Sequence, residues 1–280
     1  MNLTPEEQIK SVGVHPDVPF SEYLEWDAPS SHDLALIRKS PAHYAEAKLN
    51  PVEPTAAMRL GSACHAIVLE GGPSMTHHSV AVSPKFDRRT KIGKAGYAAF
   101  QAESGGRTVI TEAEYETIRS MAQAVTASTA GSFVLAGAPN REHSCLWEGP
   151  GGVICRGRPD AYGPNLVVDL KTCADASPGE FGRTAARYGY HTQAAWYLDG
   201  LQSAGIVGPN AVFCFLAVEK TPPFGVAVYA MTEDHLEAGR KLYRPALATY
   251  VECRESGQWP SYEGSSTVQH LELPKWALAI

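Results

Sequence analysis

The sequence predicts an α/β protein with a central mixed β-sheet flanked by helices and a helical elaboration on its N-terminal side. Three observations carry this reading. Apolar residues recur at helical spacing in segments between residues 30 and 130. From Arg141 the period changes to two, and LVVDLKT at 166–172 reads as a Val/Leu strand. Helical patterning then returns before AVFCFLAVEK and FGVAVYAM, placing two further strands beyond a helical crossover.

Taken in order, residues 1–28 contain prolines and acids without periodicity and predict a flexible arm, leaving 29–280 as a single domain. Ser30 or Ser31 can cap HDLALIRKS, Pro41 starts a second short helix, and Asn50-Pro51 ends it. AMRLGSACHAIVLEGG sets Met58, Ala63, Ala66, Ile67 and Leu69 on a helix that Gly71-Gly72 stops. Lys85, Arg88, Arg89, Lys91 and Lys94 then face only Asp87, and a solvated loop or a phosphate-contacting loop both fit that charge. Thr111 to Glu114 form a capping box opening a helix to about Ala130. EHSCLWE, VICRGRPD and LVVDLKT are strands separated by Gly- and Pro-containing turns, followed by a helix from about Ala185 to Ala204. The next two strands form a hairpin across Thr221-Pro222-Pro223, and Thr232 caps a last long helix from Glu233 to about Glu255. The tail, through LELPKWALAI, has aromatic and Leu anchors with which to pack back on the body.

Composition excludes several classes. With 44% apolar residues and a net charge of −6, the 280-residue chain is too hydrophobic and too weakly charged to be disordered. Its longest apolar run, Ala211 to Val218, is far short of the ~20 residues of a membrane span. The acid-containing N-terminus lacks the apolar stretch of a secretory signal, so the expected location is cytoplasmic. Six cysteines without a C-x-x-C pair argue against zinc knuckles and iron–sulfur clusters and read as reduced thiols.

The chemistry centres on LVVDLKT. Alternation puts Val167, Asp169 and Lys171 on one face and Leu166, Val168 and Leu170 on the other. An Asp and a Lys in a Val/Leu strand form either a simple ion pair or part of a site, because burying either charge alone is costly. Asp160 alone is a turn former, but pairing of the two strands brings it beside Asp169. Two carboxylates with the Leu170 carbonyl make a hard oxygen site suited to Mg²⁺. Lys171 could then orient or help deprotonate a water. On the next helix Gln193 and Tyr197 share a face, as a polar helix surface or as groups aimed at the site. His65 lies among apolar neighbours, where a satisfied core histidine and a metal ligand are both open.

The ordered set is more specific than its parts. A His on an early helix, P-D, D-x-K on a strand and Q-x-x-x-Y on the following helix resemble the RecB-type branch of the PD-(D/E)XK nuclease superfamily. SSHDLALIRKSPAHY, AMRLGSACHAIVLE, CRGRPDAY, VVDLKTCADASPGEF, YGYHTQAAWYLDG and LELPKWA are similar to the RecE-like (exonuclease VIII) group and its phage relatives, over roughly Glu22 to Trp276. The resemblance implies a restriction-endonuclease-like core with its catalytic part at about 141–230. It implies His65, Asp160 and Asp169 as metal ligands, Lys171 as the catalytic lysine, and Gln193 with Tyr197 as the supporting pair.

One or two Mg²⁺ ions, or Mn²⁺, are implied as cofactor. The implied activity is 5′→3′ digestion of linear duplex DNA that leaves 3′ single strands for recombination by annealing. A homo-oligomeric ring, a tetramer by preference, and a single-strand annealing partner belong to the same implication. An endonuclease, or a non-catalytic DNA-binding protein retaining the fold, are the alternatives. Glu142 reads as a salt-bridge former that could add a metal or water contact. Lys85, Arg88, Arg89, Lys91 and Arg158, with Arg59 and Arg156 nearby, could form a local basic track for DNA despite the net charge of −6.

Overall fold

The computed structural model describes residues 11–52, 54–69, 79–262 and 270–273. The helices are α1 (Phe20–Glu25), α2 (Ser31–Lys39), α3 (Pro41–Leu49), α4 (Ala56–Leu69), α5 (Lys91–Glu103), α6 (Glu112–Ala127), α7 (Thr129–Gly137), α8 (Pro178–Tyr188), α9 (Tyr190–Ser203) and α10 (Glu233–Ser256). The strands are β1 (Gly13–His15), β2 (Val80–Ser83), β3 (Thr108–Thr111), β4 (Asn140–Arg141), β5 (Ser144–Glu148), β6 (Ile154–Gly157), β7 (Ala161–Gly163), β8 (Leu166–Cys173), β9 (Val212–Glu219) and β10 (Val226–Ala230).

The central sheet has the order β10-β9-β8-β7-β4. Only β8 and β9 run parallel in it, joined through α8 and α9, while its other neighbours are antiparallel. This is the expected mixed sheet, and the alternation of β8 decides its two faces. Val167 joins Phe213, Phe215 and Ala217 in a core with residues of α2, α9 and α10. Val168 and Leu170 join Leu216 and Val218 in a second core with residues of α4, α6 and α7. A strand buried on both faces must be apolar at nearly every position, so the charges of Asp169 and Lys171 require partners.

The helix starts follow from local chemistry. Ser30 caps α2, and its hydroxyl and backbone N–H both engage Asp33 in a capping box. Thr111 and Glu114 do the same for α6, and Thr232 caps α10. Ser40 caps α3, with Pro41 at its first turn where no N–H is needed. The hairpin across Thr221-Pro222-Pro223 forms, with Val226 opposite Val218.

Four expectations are corrected. The segment 11–28 is not a loose arm: β1 pairs antiparallel with β5, and Val18, Tyr23 and Ala28 are buried. Residues 1–10 lie outside the described residues. β5 and β6 belong to a separate three-stranded sheet of order β1-β5-β6 rather than to the central one. The basic stretch is a loop only to Thr90, whose side chain then caps α5. The single helix expected over 185–204 is two helices broken at Gly189, which sits at φ 69°, a conformation glycine adopts without steric penalty. Gly71-Gly72 and most of the closing LELPKWA motif also lie outside the described residues.

Candidate active site

Pairing of Ala161 with Val168 across β7 and β8 sets Asp160 beside Asp169 and Leu170. Asp160 Oδ2 accepts the Leu170 N–H at 2.6 Å. Facing it from α4, His65 places Nδ1 3.4 Å from the same oxygen. A third donor is Glu142, whose Oε1 lies 3.9 Å from His65 Nδ1. One ligand atom from each of His65, Glu142 and Asp160 fits within a 4.8 Å span, a donor set of one imidazole and two carboxylates.

Asp169 and Lys171 lie on the adjoining side of this cluster. Lys171 Nζ is 2.6 Å from Asp169 Oδ2 and donates to Gln193 Oε1 at 3.0 Å. The Gln193 amide donates to Asp169 Oδ1 at 2.9 Å, so one side chain from α9 holds both members of the D-x-K pair. The ammonium also sits 4.6 Å from the Tyr190 ring centroid and 5.9 Å from that of Phe215. Tyr197 is buried one turn further along, and its hydroxyl donates to the Arg158 carbonyl at 3.3 Å, which holds the peptide leading into Asp160.

These placements shift the ionisable groups. Burial pushes the His65 imidazole down, but Asp160 and Glu142 outweigh it and hold the pKa well above its ordinary value. Burial raises Asp160, yet His65, Lys171 and the Leu170 N–H together bring it below the usual carboxylate range. Asp169 is raised to about 6 by burial, with Asp160 adding to the rise and Lys171 opposing it. For Lys171 burial acts downward and loses to Asp169 and Asp160, so the ammonium stays charged.

The residues fit a divalent cation. Asp169 Oδ2 is buried, and its close polar neighbour is the Lys171 ammonium at 2.6 Å. One imidazole and two carboxylates converging beside the buried Asp169 carboxylate make a donor set suited to a hard to borderline cation.

The tertiary structure thus brings His65, Asp160, Leu170, Asp169, Lys171 and Gln193 into one neighbourhood. Two sequence-based assignments change. Glu142 does form the expected ion pair, to Arg158 Nε at 3.2 Å, but its other oxygen belongs to the ligand cluster. Its N–H bonds to the Asp160 carbonyl, and its φ of 51° turns it out of the strand, a costly conformation for a residue with a Cβ. The pairing of Arg141 with Ala161 sets residue 142 beside residue 160.

Arg158 is the second change. Its guanidinium is largely buried and spent on Glu142, the Val18 carbonyl and Ser144 Oγ, so it leaves the exposed basic track. Arg156 is likewise buried, against Asp33 and the Tyr23 ring, and leaves the basic track. Lys85, Arg88, Arg89 and Lys91 are exposed on the loop and first turn of α5, outside the hydrogen-bonded set. Arg89 closes on Asp87, and Arg88 lies over the Tyr97 ring.

A mixed sheet with P-D at a turn, D-x-K on the central strand and an amide from the crossover helix defines the PD-(D/E)XK type of α/β fold. The chain belongs to the family described as a PDDEXK-like domain of unknown function, whose model matches residues 30–271. Among solved structures, it is similar to a protein from Eubacterium rectale named as a putative exonuclease. The two share 13% identity and a TM-score of 0.60, over 100% of this chain and 98% of that one. A second structure, SSO0001, has 22% identity over 50% of this chain and 68% of its own, and its TM-score of 0.29 carries no weight for the fold. No curated protein matches the sequence. Among the described residues, no helix is long and apolar enough to cross a membrane.

Proposed function

We propose that this protein is a metal-dependent deoxyribonuclease. The observation that carries the reading is the single hydrogen-bonded set in which Gln193 holds Asp169 and Lys171 beside the His65, Glu142 and Asp160 cluster. His65, Glu142, Asp160 and the Asp169 carboxylate would hold one or two Mg²⁺ or Mn²⁺ ions, with the Leu170 carbonyl as a further oxygen donor. Such an ion supplies charge stabilisation at a phosphate and a more acidic bound water.

The chain's own residues do the rest. Lys171, kept charged by two carboxylates, directs the attacking water toward phosphorus and offsets charge on the phosphate oxygens. Gln193 fixes the Lys171 and Asp169 rotamers, and Arg158 and Tyr197 fix Glu142 and the Asp160 peptide. In-line displacement then breaks the P–O3′ bond, leaving a 5′-phosphate and a 3′-hydroxyl.

The finer activity rests on the RecE-like resemblance. It is 5′→3′ digestion of linear duplex DNA that leaves 3′ tails for annealing in a recombination system, by a ring-shaped homo-oligomer in the cytoplasm of a bacterial or phage-infected cell. The name of the Eubacterium rectale relative agrees with an exonuclease. The exposure of Lys85, Arg88, Arg89 and Lys91 supports this reading, in which they contact phosphates.

The test is digestion of linear duplexes labelled at the 5′ or the 3′ end, beside closed circles, with Mg²⁺ and with EDTA. Early 5′-label release from linear DNA alone is expected, abolished by EDTA and by Asp169→Ala. Cutting of circles would make it an endonuclease, and an active Asp169→Ala protein would overturn the site.

A further inference from the structure

We propose that Tyr188, stacked on Tyr190, is a shelf on which the nucleobase next to the scissile phosphate stacks. This deepens the nuclease reading and rests on it.

Residues two apart on a continuous α-helix point about 200° away from each other and cannot share a face. Tyr188 ends α8 and Tyr190 starts α9, and Gly189 between them, at φ 69° and ψ 31°, turns the chain so that the two rings stack. Their centroids are 6.0 Å apart with 23° between planes.

The inner ring is rooted in the core. Tyr190 lies 5.3 Å from Phe215 and 6.1 Å from Phe181, and its centroid is 4.6 Å from Lys171 Nζ. The outer ring is 64% exposed although it is aromatic and held by its neighbour. A solitary exposed tyrosine needs no explanation. This one extends an aromatic stack from the ring beside Lys171 out to solvent, in steps of 4.6 and 6.0 Å, which keeps it within a nucleotide's reach of the reacting centre.

The chemistry favours a base over an aliphatic group. Every base has a π-face, and stacking on an aromatic side chain is tolerant of sequence. Exposed Arg187, with its guanidinium 5.7 Å from the Tyr188 centroid, adds positive charge where the adjoining phosphates would run. A shelf at this point would take a base that has left the duplex stack, as at a frayed or advancing end. The shelf is a binding group, so it acts on KM more than on kcat.

The experiment uses linear duplexes carrying one abasic site at position 1, 2 or 3 from the digested end. At one of these positions the wild-type protein is expected to show a KM raised about tenfold over the intact duplex. Tyr188→Ala should raise KM on intact DNA about tenfold and erase the abasic difference, and Tyr188→Trp should restore it. Circular dichroism checks that both variants fold. In parallel, 2-aminopurine at the same position is followed in EDTA, where binding occurs without cleavage, and its fluorescence should fall with wild type and not with Tyr188→Ala. Equal KM values at all three positions, or identical quenching in the two proteins, would overturn the shelf. Quenching that depends on Tyr188 in a protein that never cleaves DNA would instead overturn the nuclease reading and leave the shelf standing.

Discussion

Replacing Asp33 is the perturbation whose effect the structure defines most closely. Asp33 is 4% exposed and Arg156 2% exposed, with Arg156 Nη2 3.3 Å from Asp33 Oδ2. The same oxygen accepts from the Ser30 N–H at 2.9 Å and the Ser30 hydroxyl at 2.7 Å, and Lys48 reaches the other oxygen at 3.2 Å. Arg156 has little else: a bond to the Tyr23 carbonyl, the Tyr23 ring, and an Nε with no partner. Its backbone lies on β6, accepting from Trp196 Nε1 and donating to the Pro29 carbonyl, four residues before Asp160. Asp33→Ala therefore leaves a buried guanidinium without its counter-ion and should lower the unfolding free energy by about 3–5 kcal/mol. Loss of the capping box accounts for about 1 kcal/mol of that.

Urea titration at neutral pH measures the loss, and repeating it in acid tests its origin. Burial pushes the Asp33 carboxyl up, but Lys48, Ser30 and Arg156 outweigh it and hold its pKa below the ordinary 3.8. The unfolded chain thus binds this proton more tightly. The contribution is full above the unfolded pKa and is lost as pH falls through the folded one. The gap between wild type and Asp33→Ala should narrow in that acid range, by about 1.4 kcal/mol for each unit by which the folded state lowers the pKa. Asp33→Leu combined with Arg156→Met should recover most of the deficit, because the pair's desolvation is removed with it. A loss under about 1 kcal/mol, or curves that stay parallel into acid, would refute the argument.

Three further outcomes are expected. Glu142→Gln should weaken Mn²⁺ binding, read by calorimetry, by about 10–100-fold with the fold intact, because it removes a carboxylate from the cluster with His65 and Asp160. Mn²⁺ affinity should fall as pH drops, first because the ion must displace the proton that Asp160 and Glu142 hold on His65, and below about 6 because the raised Asp169 carboxyl also takes up a proton; Asp169→Asn should remove only the lower limb. Gly200→Ala should cost about 1–3 kcal/mol in urea titration, because an added Cβ would lie 2.2 Å from the Trp147 indole, which is buried against Trp196.

Much of the site was legible because its signals are local. The alternation in β8 assigned Asp169 and Lys171 to one face, and the P-D turn ahead of it put Asp160 alongside. The i, i+4 spacing aimed Gln193 and Tyr197 the same way, although Tyr197 turns out to hold a backbone carbonyl. Glu142 and Arg158 were harder. Both are charged residues at strand ends, and only the meeting of β4 with β7 shows that one faces His65 while the other is consumed in holding it.

By itself the sequence determined the mixed α/β order, the capped starts of α2, α3, α6 and α10 and the chemical types at the site, because periodicity, capping and turn residues act over a few neighbours. The fold alone decided which charges are partners and which are free. Arg156 and Arg158 read as surface cations in the sequence, yet both are buried by contacts reaching back to residues 18–33. The four loop cations from Lys85 to Lys91 remain exposed. Burial is a property of segments meeting across more than a hundred residues, and no local pattern encodes it.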